Sequence, residues 1–115
     1  MRTSSKLRSP DHTTVVQRVF TFVSQIPRGH VTTYGDIAHA LMLKTPRQVG
    51  WVLHRNDDPE HVPCHRVVFA DGRLSGSYAF GGEDAQRKWL ESEGVPFTKA
   101  GRVNLELARW RGKTG

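Results

Sequence analysis

Two short segments with helical spacing, separated by one tight turn, constrain the fold of this chain more than any other feature. The first segment should begin at Tyr34 or Gly35, since apolar residues recur in it at helical intervals. The second opens with Thr45, a good N-cap residue, and Pro46, which costs no hydrogen bond in a first helical turn, and should end near Arg55. The apolar positions are Ile37, Ala38, Leu41 and Met42, then Val49, Val52 and Leu53. The pair is a helix-turn-helix candidate, although most such pairs bind nothing.

The rest of the chain predicts an α+β protein that is mostly helical and has a small strand element. A helix is expected from Asp11 to Ile26 and another within 81–94. Between them, 62–76 is predicted to form an extended segment, a turn at Asp71-Gly72 and a second short strand. The tail, 95–112, should form an extended pair or an extended segment plus a helical turn. Its predicted anchors are Phe97, Leu105, Leu107 and Trp110.

Length and charge point to one basic domain. The 115 residues suit a single domain over 11–115, preceded by a flexible basic tail at 1–10. Lys and Arg number 17 against 11 Asp and Glu, which fits nucleic acid as a partner or a merely soluble basic protein. No apolar run approaches the roughly 18 residues of a membrane span, and the N-terminus lacks the apolar region of a secretory signal. A single cysteine favours a reducing compartment, in the cytoplasm and nucleoid or in a nucleus.

That cysteine, Cys64, stands beside His65 in the stretch "VPCHRVV". An isolated cysteine is usually an inert core residue, and on a strand the two side chains would point to opposite faces. A nucleophilic thiol needs a base and an acid that orients the base, for which Glu91 and Glu93 are candidates. With His61 the pair supplies three possible metal ligands, but a closed zinc site needs four, so no metal is expected.

Several motifs in order give the chain a specific resemblance. "VTTYGDIA", "PRQVGWVLHRN", "PCHRVV", "GRLSGSYAFGG" and "RKWLESEG" together resemble the O6-alkylguanine-DNA alkyltransferases over about residues 14–98. The resemblance implies the winged helix-turn-helix-like C-terminal domain of that family. It also implies a monomer without a cofactor, whose partner is double-stranded DNA containing O6-alkylguanine.

The resemblance assigns roles to individual positions. Cys64 matches the alkyl acceptor, His65 the base that deprotonates it through a water, Glu93 the acid that orients the histidine, and Asn56 the hinge asparagine. Such a relay should raise the thiolate above the roughly 3% of a free thiol at pH 7. DNA contacts are implied for Tyr34, which helps rotate the nucleotide, for Arg47, which fills its place in the stack, and for Thr33 and Gln48. The implied base pocket comprises Val62, Pro63, Tyr78, Ala79 and Trp51.

Other features of the chain depart from the enzymes. Ala79 stands where many members have a serine, one residue is added nearby, and the family's usual extra N-terminal domain is not seen. The length and the tail "GRVNLELARW" resemble the alkyltransferase-like proteins, which bind alkylated DNA without repairing it and hand it to nucleotide excision repair. Those proteins normally replace the cysteine. Three hypotheses therefore remain: a single-turnover DNA methyltransferase, a damage-binding module that works with excision-repair proteins, and an unrelated helix-turn-helix regulator.

Overall fold

The computed structural model describes residues 12–75 and 83–112, and it confirms an α+β fold that is mostly helical. The helices and strands follow in the order α1 (His12–Ser24), β1 (Thr32–Thr33), α2 (Tyr34–Ala40), α3 (Pro46–His54), a 3-10 turn (Cys64–Arg66), β2 (Val67–Val68), α4 (Glu83–Ser92) and α5 (Leu105–Ala108). Within the described ranges, no helix has the length and apolar character needed to cross a membrane. The predicted tail at 1–10 lies outside them, as do Tyr78 and Ala79.

Each helix of the predicted pair begins at a cap that the local sequence provides. The Thr33 side chain accepts a hydrogen bond from the Asp36 backbone N–H at 3.0 Å, which starts α2. Gln48 Oε1 accepts hydrogen bonds from the backbone N–H groups of Lys44 and Thr45, at 3.0 and 3.4 Å, and so closes the first turn of α3. These caps fix the entry points of both helices, and α2 packs directly on α3.

The turn between α2 and α3 corrects one prediction. Met42 was expected on the apolar face of the first helix, but α2 ends at Ala40 and Met42 is 90% exposed. Its φ is +59°, and the N–H of Leu43 bonds to the carbonyl of Ala38 at 2.8 Å while that of Met42 bonds to His39 at 3.2 Å. This is a Schellman ending with methionine at the left-handed position that glycine usually occupies.

The region around the cysteine differs from the predicted extended segment, although the predicted turn after it is present. Cys64 starts a 3-10 turn, and β2 pairs in parallel with β1 in the register Thr32–Val67. The tight turn at Asp71-Gly72 is present, with Gly72 at φ +87°. Across the turn the Phe69 N–H donates to the Arg73 carbonyl at 3.0 Å, but the described residues 73–75 form no strand, and the Gly72 carbonyl accepts a hydrogen bond from the Val103 N–H of the tail at 2.9 Å.

The tail after α4 closes the domain. Gly94, at φ +85°, ends α4, and Phe97 and Val103 then form an isolated antiparallel bridge before α5. An extended segment followed by a helical turn was one of the two predicted arrangements. The prediction for Leu107 is wrong: this side chain is 70% exposed, because the four-residue α5 turns Ala108 inward instead.

Two further contacts join the tail to β1 and α2. Val31 forms a parallel bridge with Arg109, and the Arg109 guanidinium donates hydrogen bonds to both carboxylate oxygens of Asp36, at 2.9 and 2.6 Å. The small sheet separates two apolar clusters. Val67 belongs to the cluster around α1, α2 and α3, whereas the adjacent Val68 belongs to the cluster under α4 and the tail. This alternation is the one expected of a strand that is buried on both faces.

Candidate active site

Cys64 lies buried in the first cluster, at the start of the 3-10 turn. Asn56 shapes the loop in front of it: its side-chain N–H donates to the Val62 carbonyl at 2.7 Å, and its Oδ1 accepts from the Asp58 N–H at 3.0 Å. Burial raises the pKa of the Cys64 thiol, and hydrogen bonding from Asn56 offsets only part of that rise. The thiol is therefore protonated in the free protein. The predicted enrichment of thiolate through a water relay stays a prediction.

His65 and Glu93 form a buried pair beside the thiol. His65 Nε2 and Glu93 Oε2 are 3.0 Å apart, and both side chains are about 1% exposed. Because Cys64 and His65 occupy a 3-10 turn, the expectation from strand geometry that they point to opposite faces no longer applies. The histidine reaches the acidic residue that the resemblance assigned, whereas Glu91 is exposed.

Arg66 completes this cluster as the cation that holds the glutamate. Its Nε and terminal nitrogen donate to the two carboxylate oxygens of Glu93 at 2.9 and 2.7 Å, and its other terminal nitrogen donates to the Ile26 carbonyl at 2.8 Å. Burial raises the pKa of Glu93, but hydrogen bonds from Arg66 and His65 outweigh it, so the pKa lies below its usual range. Glu93 is therefore a carboxylate at neutral pH.

The electrostatic surroundings make His65 a neutral base. Burial lowers its pKa, and the hydrogen bond to Glu93 offsets this only in part. With Glu93 ionised, the geometry assigns the proton to Nε2, which donates to the carboxylate. Nδ1 then carries the free lone pair. It is buried and makes no hydrogen bond to any residue within 12–75 or 83–112.

Two residues of α4 fix the orientation of this turn. The Trp89 ring stacks on His65 with centroids 3.9 Å apart and planes inclined by 9°. The Gln86 amide donates to the carbonyls of His65 and Val67, at 3.0 and 3.3 Å, and accepts from the Ser75 N–H at 3.0 Å. The sequence reasoning missed Arg66, Trp89 and Gln86 as parts of the site. Only Arg66 could have been suspected from the sequence, because it directly follows the Cys-His pair and its positive charge suits an acidic residue such as Glu93.

Tyr34, predicted to contact DNA, lies close to the thiol. It begins α2 and contacts the Phe69 ring, with centroids 5.4 Å apart. Burial raises the pKa of Tyr34, the nearby Ser75 hydroxyl lowers it in part, and negative charge on Cys64 would raise it further. The Tyr34 hydroxyl therefore lies near both the Ser75 side chain and the thiol.

The other predicted DNA contacts lie on or before α3. Arg47 is exposed in its first turn. Trp51, which the resemblance assigned to the base pocket, is 64% exposed one turn later. Gln48 is partly buried and Thr33 is buried, and both side chains cap helices as described above. The contacts of Arg47, Gln48 and Thr33 with DNA stay predictions, and so does the place of Trp51 in the base pocket.

The predicted base pocket is only partly within the described residues. Val62 is partly buried and Pro63 is buried, immediately before the thiol, whereas Tyr78 and Ala79 lie outside the described ranges. Their roles stay predictions. In the part of the chain that the structure describes, no group of three or more His, Cys, Asp or Glu side chains is placed to hold a metal ion.

Comparison with known proteins places this site in a family. The family model described as "6-O-methylguanine DNA methyltransferase, DNA binding domain" matches residues 14–95. The DNA base-flipping protein of Escherichia coli is 42% identical over 97 residues, covering 82% of this chain and 72% of that protein. A methylated-DNA–protein-cysteine methyltransferase of Pyrobaculum aerophilum is 49% identical over 70 residues, covering 61% of this chain and 45% of that protein.

The structural match includes a DNA complex. Schizosaccharomyces pombe Atl1, solved with damaged DNA containing O6-carboxymethylguanine, has a TM-score of 0.74 and 34% identity; the match covers 87% of this chain and 97% of that one. The chain spans only 30% of another relative, the bifunctional methyltransferase/endonuclease of Picrophilus torridus, to which it is 40% identical over 93 residues. Given the family match over most of its length, the chain belongs to the O6-methylguanine DNA methyltransferase family, within which both methyltransferases and alkyltransferase-like proteins are its relatives.

Proposed function

We propose that this protein repairs DNA by binding the duplex, rotating O6-alkylguanine out of the stack and accepting the alkyl group irreversibly on Cys64. One observation carries the proposal: the residue after the buried cysteine is a buried histidine whose Nε2 lies 3.0 Å from Glu93 Oε2 and whose Nδ1 has no hydrogen-bond partner among the described residues. An inert core cysteine needs no such neighbours. A thiol that must lose a proton only at the moment of reaction does need them.

The transfer balances without a cofactor. Cys64 Sγ attacks the alkyl carbon as its proton passes to His65 Nδ1 through a bridging water. The Sγ–C bond forms and the C–O6 bond breaks, with its electron pair remaining on the guanine, which then takes up a proton from solvent. Glu93 stabilises the imidazolium that forms. Because a thioether is a poor leaving group, each protein molecule reacts once.

Binding of duplex DNA follows from the charge and from α3. The alkylated oxygen is hidden in the duplex, so the base must leave the stack at a cost of a few kcal/mol. The net charge of +6 favours phosphate contacts, and α3 carries no acidic residue. Exposed Arg47, at the start of α3, can offset the unstacking by entering the vacated space. The E. coli relative is itself named a base-flipping protein.

The decisive experiment measures intact mass after the protein is mixed with excess duplex containing O6-methylguanine. The expected result is one added methyl group on the peptide that contains Cys64, with no second turnover. Cys64→Ala should gain no mass yet still bind the lesion. An unmodified duplex of the same sequence is the control.

The second candidate is a damage-binding protein that recognises O6-alkylguanine without transfer and recruits nucleotide excision repair. The match to nearly the whole of Atl1 favours it, as does the raised pKa of the thiol. Tight binding of the lesion with an unchanged mass would replace the transferase proposal with this one.

A further inference from the structure

We propose that Arg73 binds a backbone phosphate of the DNA strand that carries the everted base, and so holds this strand beside the thiol. The inference rests on the proposed binding of an alkylated duplex and adds a contact outside α3. Three observations carry it: the guanidinium is held in one orientation, its partner does not cancel the local positive charge, and aromatic rings connect it to the site.

Two contacts hold the Arg73 guanidinium in one orientation. Its Cζ lies 5.2 Å from the centroid of the Phe69 ring, which is a cation–π contact. Its Nε donates to both carboxylate oxygens of Asp71, at 3.1 and 2.8 Å. The two terminal nitrogens have no hydrogen-bond partner among residues 12–75 and 83–112. A planar guanidinium with both terminal nitrogens available matches two oxygens of a phosphate.

Asp71 does not cancel the positive charge of this surface. Its carboxylate also lies 3.4 Å from a terminal nitrogen of Arg102, so two guanidinium groups share one carboxylate and one positive charge is left over. The same carboxylate accepts from the Arg73 backbone N–H at 3.1 Å, which fixes its position. The three side chains are 41% to 62% exposed, so a phosphate can approach Arg73 from solvent. Asp71 therefore anchors Nε, and the remaining charge favours an anion.

Two aromatic rings connect Arg73 to the proposed active site. The Phe69 ring under its guanidinium also contacts Tyr34, with centroids 5.4 Å apart, and the Tyr34 hydroxyl lies near the thiol. Phe69 is 39% exposed whereas Cys64 is buried, so these rings lead from the thiol to the surface. A base that enters the site stays covalently joined to its strand, and the backbone of that strand must pass the opening. The phosphates next to the everted nucleotide are therefore the anions nearest to Arg73.

Replacing single phosphates by neutral methylphosphonates locates the contact. The duplexes contain O6-methylguanine and one methylphosphonate, placed in turn at each linkage near the lesion on either strand. Fluorescence anisotropy measures binding by Cys64→Ala, in which no transfer intervenes, and by Cys64→Ala/Arg73→Gln. At one linkage of the lesion strand, the methylphosphonate should weaken binding by the first protein roughly tenfold, the value of a hydrogen bond to a charged group. It should weaken binding by the second less than about twofold, because the partner is already missing.

The salt dependence of binding separates the guanidinium geometry from charge alone. In Arg73→Gln the slope of log affinity against log salt should be shallower by about 0.9, the contribution of one phosphate. Arg73→Lys should keep the slope but recover only part of the affinity, because an ammonium lacks the planar pair of donors. Lys88→Gln is the matched control, since Lys88 is also an exposed cation paired with an aspartate, Asp84, at 3.4 Å. This control should change the affinity by less than about twofold.

Three results would overturn the inference. They are equal losses of affinity in Arg73→Gln and Lys88→Gln, full recovery in Arg73→Lys, and the lack of any lesion-strand linkage whose methylphosphonate loses its effect in Arg73→Gln. The Tm of Arg73→Gln should fall by no more than a few degrees, because the pair with Asp71 is exposed, so a loss of binding is not a loss of fold.

The outcome is independent of alkyl transfer. If the wild type binds the lesion but never gains a methyl group, the transferase proposal is wrong and the same binding measurements still decide the role of Arg73. If the wild type binds no duplex at all, both the proposed function and the phosphate contact are refuted.

Discussion

Replacing Arg66 by methionine should destabilise the domain by leaving a buried carboxylate without its cation. The Glu93 side chain is about 1% exposed and Arg66 about 15%, so little water can replace the two hydrogen bonds of 2.9 and 2.7 Å. Removing one partner of a buried ion pair typically costs about 3–5 kcal/mol. That is a large share of the roughly 5–15 kcal/mol that stabilises a domain of this kind. Methionine keeps most of the side chain's apolar stem, which limits the cost of lost packing.

Urea unfolding measures the effect. With a slope of about 1.5 kcal/mol per molar, the midpoint should fall by roughly 2–3 M. Arg102→Met is the control, because its 3.4 Å contact with Asp71 is half exposed, and it should cost no more than about 1 kcal/mol. The double variant Arg66→Met/Glu93→Gln should be more stable than Arg66→Met alone, since a neutral amide leaves no unpaired charge and can still accept from His65. A double variant that is no more stable would refute the reasoning.

The dependence of the free energy of unfolding on pH below about 5 tests the same Arg66–Glu93 contact in a second way. Glu93 has a folded pKa below its unfolded value of about 4.3, so its contribution to stability is present above that pH and is lost as the pH falls through the folded pKa. Without Arg66 the folded pKa should rise toward or above the unfolded one. The loss of stability between about pH 5 and pH 3 should therefore be shallower in Arg66→Met than in wild type.

Three more outcomes are expected. Arg47→Ala should weaken binding to a lesion duplex by roughly 1–3 kcal/mol and to unmodified duplex by less, measured by fluorescence anisotropy; equal losses would make it an ordinary phosphate contact. Because burial raises the pKa of Cys64, iodoacetamide should alkylate the free protein more slowly at pH 7 than it alkylates a model thiol, and faster alkylation would contradict this. Because burial lowers the pKa of His65, the transfer rate should hold as pH falls to the usual histidine pKa of about 6.5 and decline only below it, whereas a decline already centred there would show an unperturbed base.

The helix pair was predictable because its determinants are local. Thr45 and Pro46 mark a helix start within two residues, and the apolar spacing reports which face is buried. Met42 was mispredicted for a complementary reason. Methionine fits the helical period of apolar residues. The carbonyls of Ala38 and His39 nevertheless accept from the N–H groups of Leu43 and Met42, which ends the helix and leaves the Met42 side chain exposed.

The site was only partly predictable, since its geometry depends on distant partners. A β-branched pair after Cys64 favours a strand, but Asn56 and Gln86 bind the carbonyls on either side of the cysteine in the 3-10 conformation. The motif resemblance pointed to Glu93 and not Glu91, and the structure places Glu93 against His65. No local pattern indicates that Trp89 stacks on His65, because this depends on how α4 lies across the turn.

The contacts between the tail and β1 have a consequence for the order of events during synthesis. Both backbone groups of Val31 bond to residues that come much later in the chain. Its N–H donates to the Ala108 carbonyl at 2.9 Å, and its carbonyl accepts from the Trp110 N–H at 2.7 Å. The Asp36 carboxylate likewise bonds to Arg109, which lies 73 residues later in the chain. At about 5–20 residues per second, a ribosome makes those partners roughly 4–15 s after α2. Until then the backbone of Val31 lacks both of its partners from the tail, and the Asp36 carboxylate has only local contacts such as the Thr32 hydroxyl at 3.5 Å. The domain should therefore reach its native state in one late, cooperative step, after Trp110 has emerged from the ribosome.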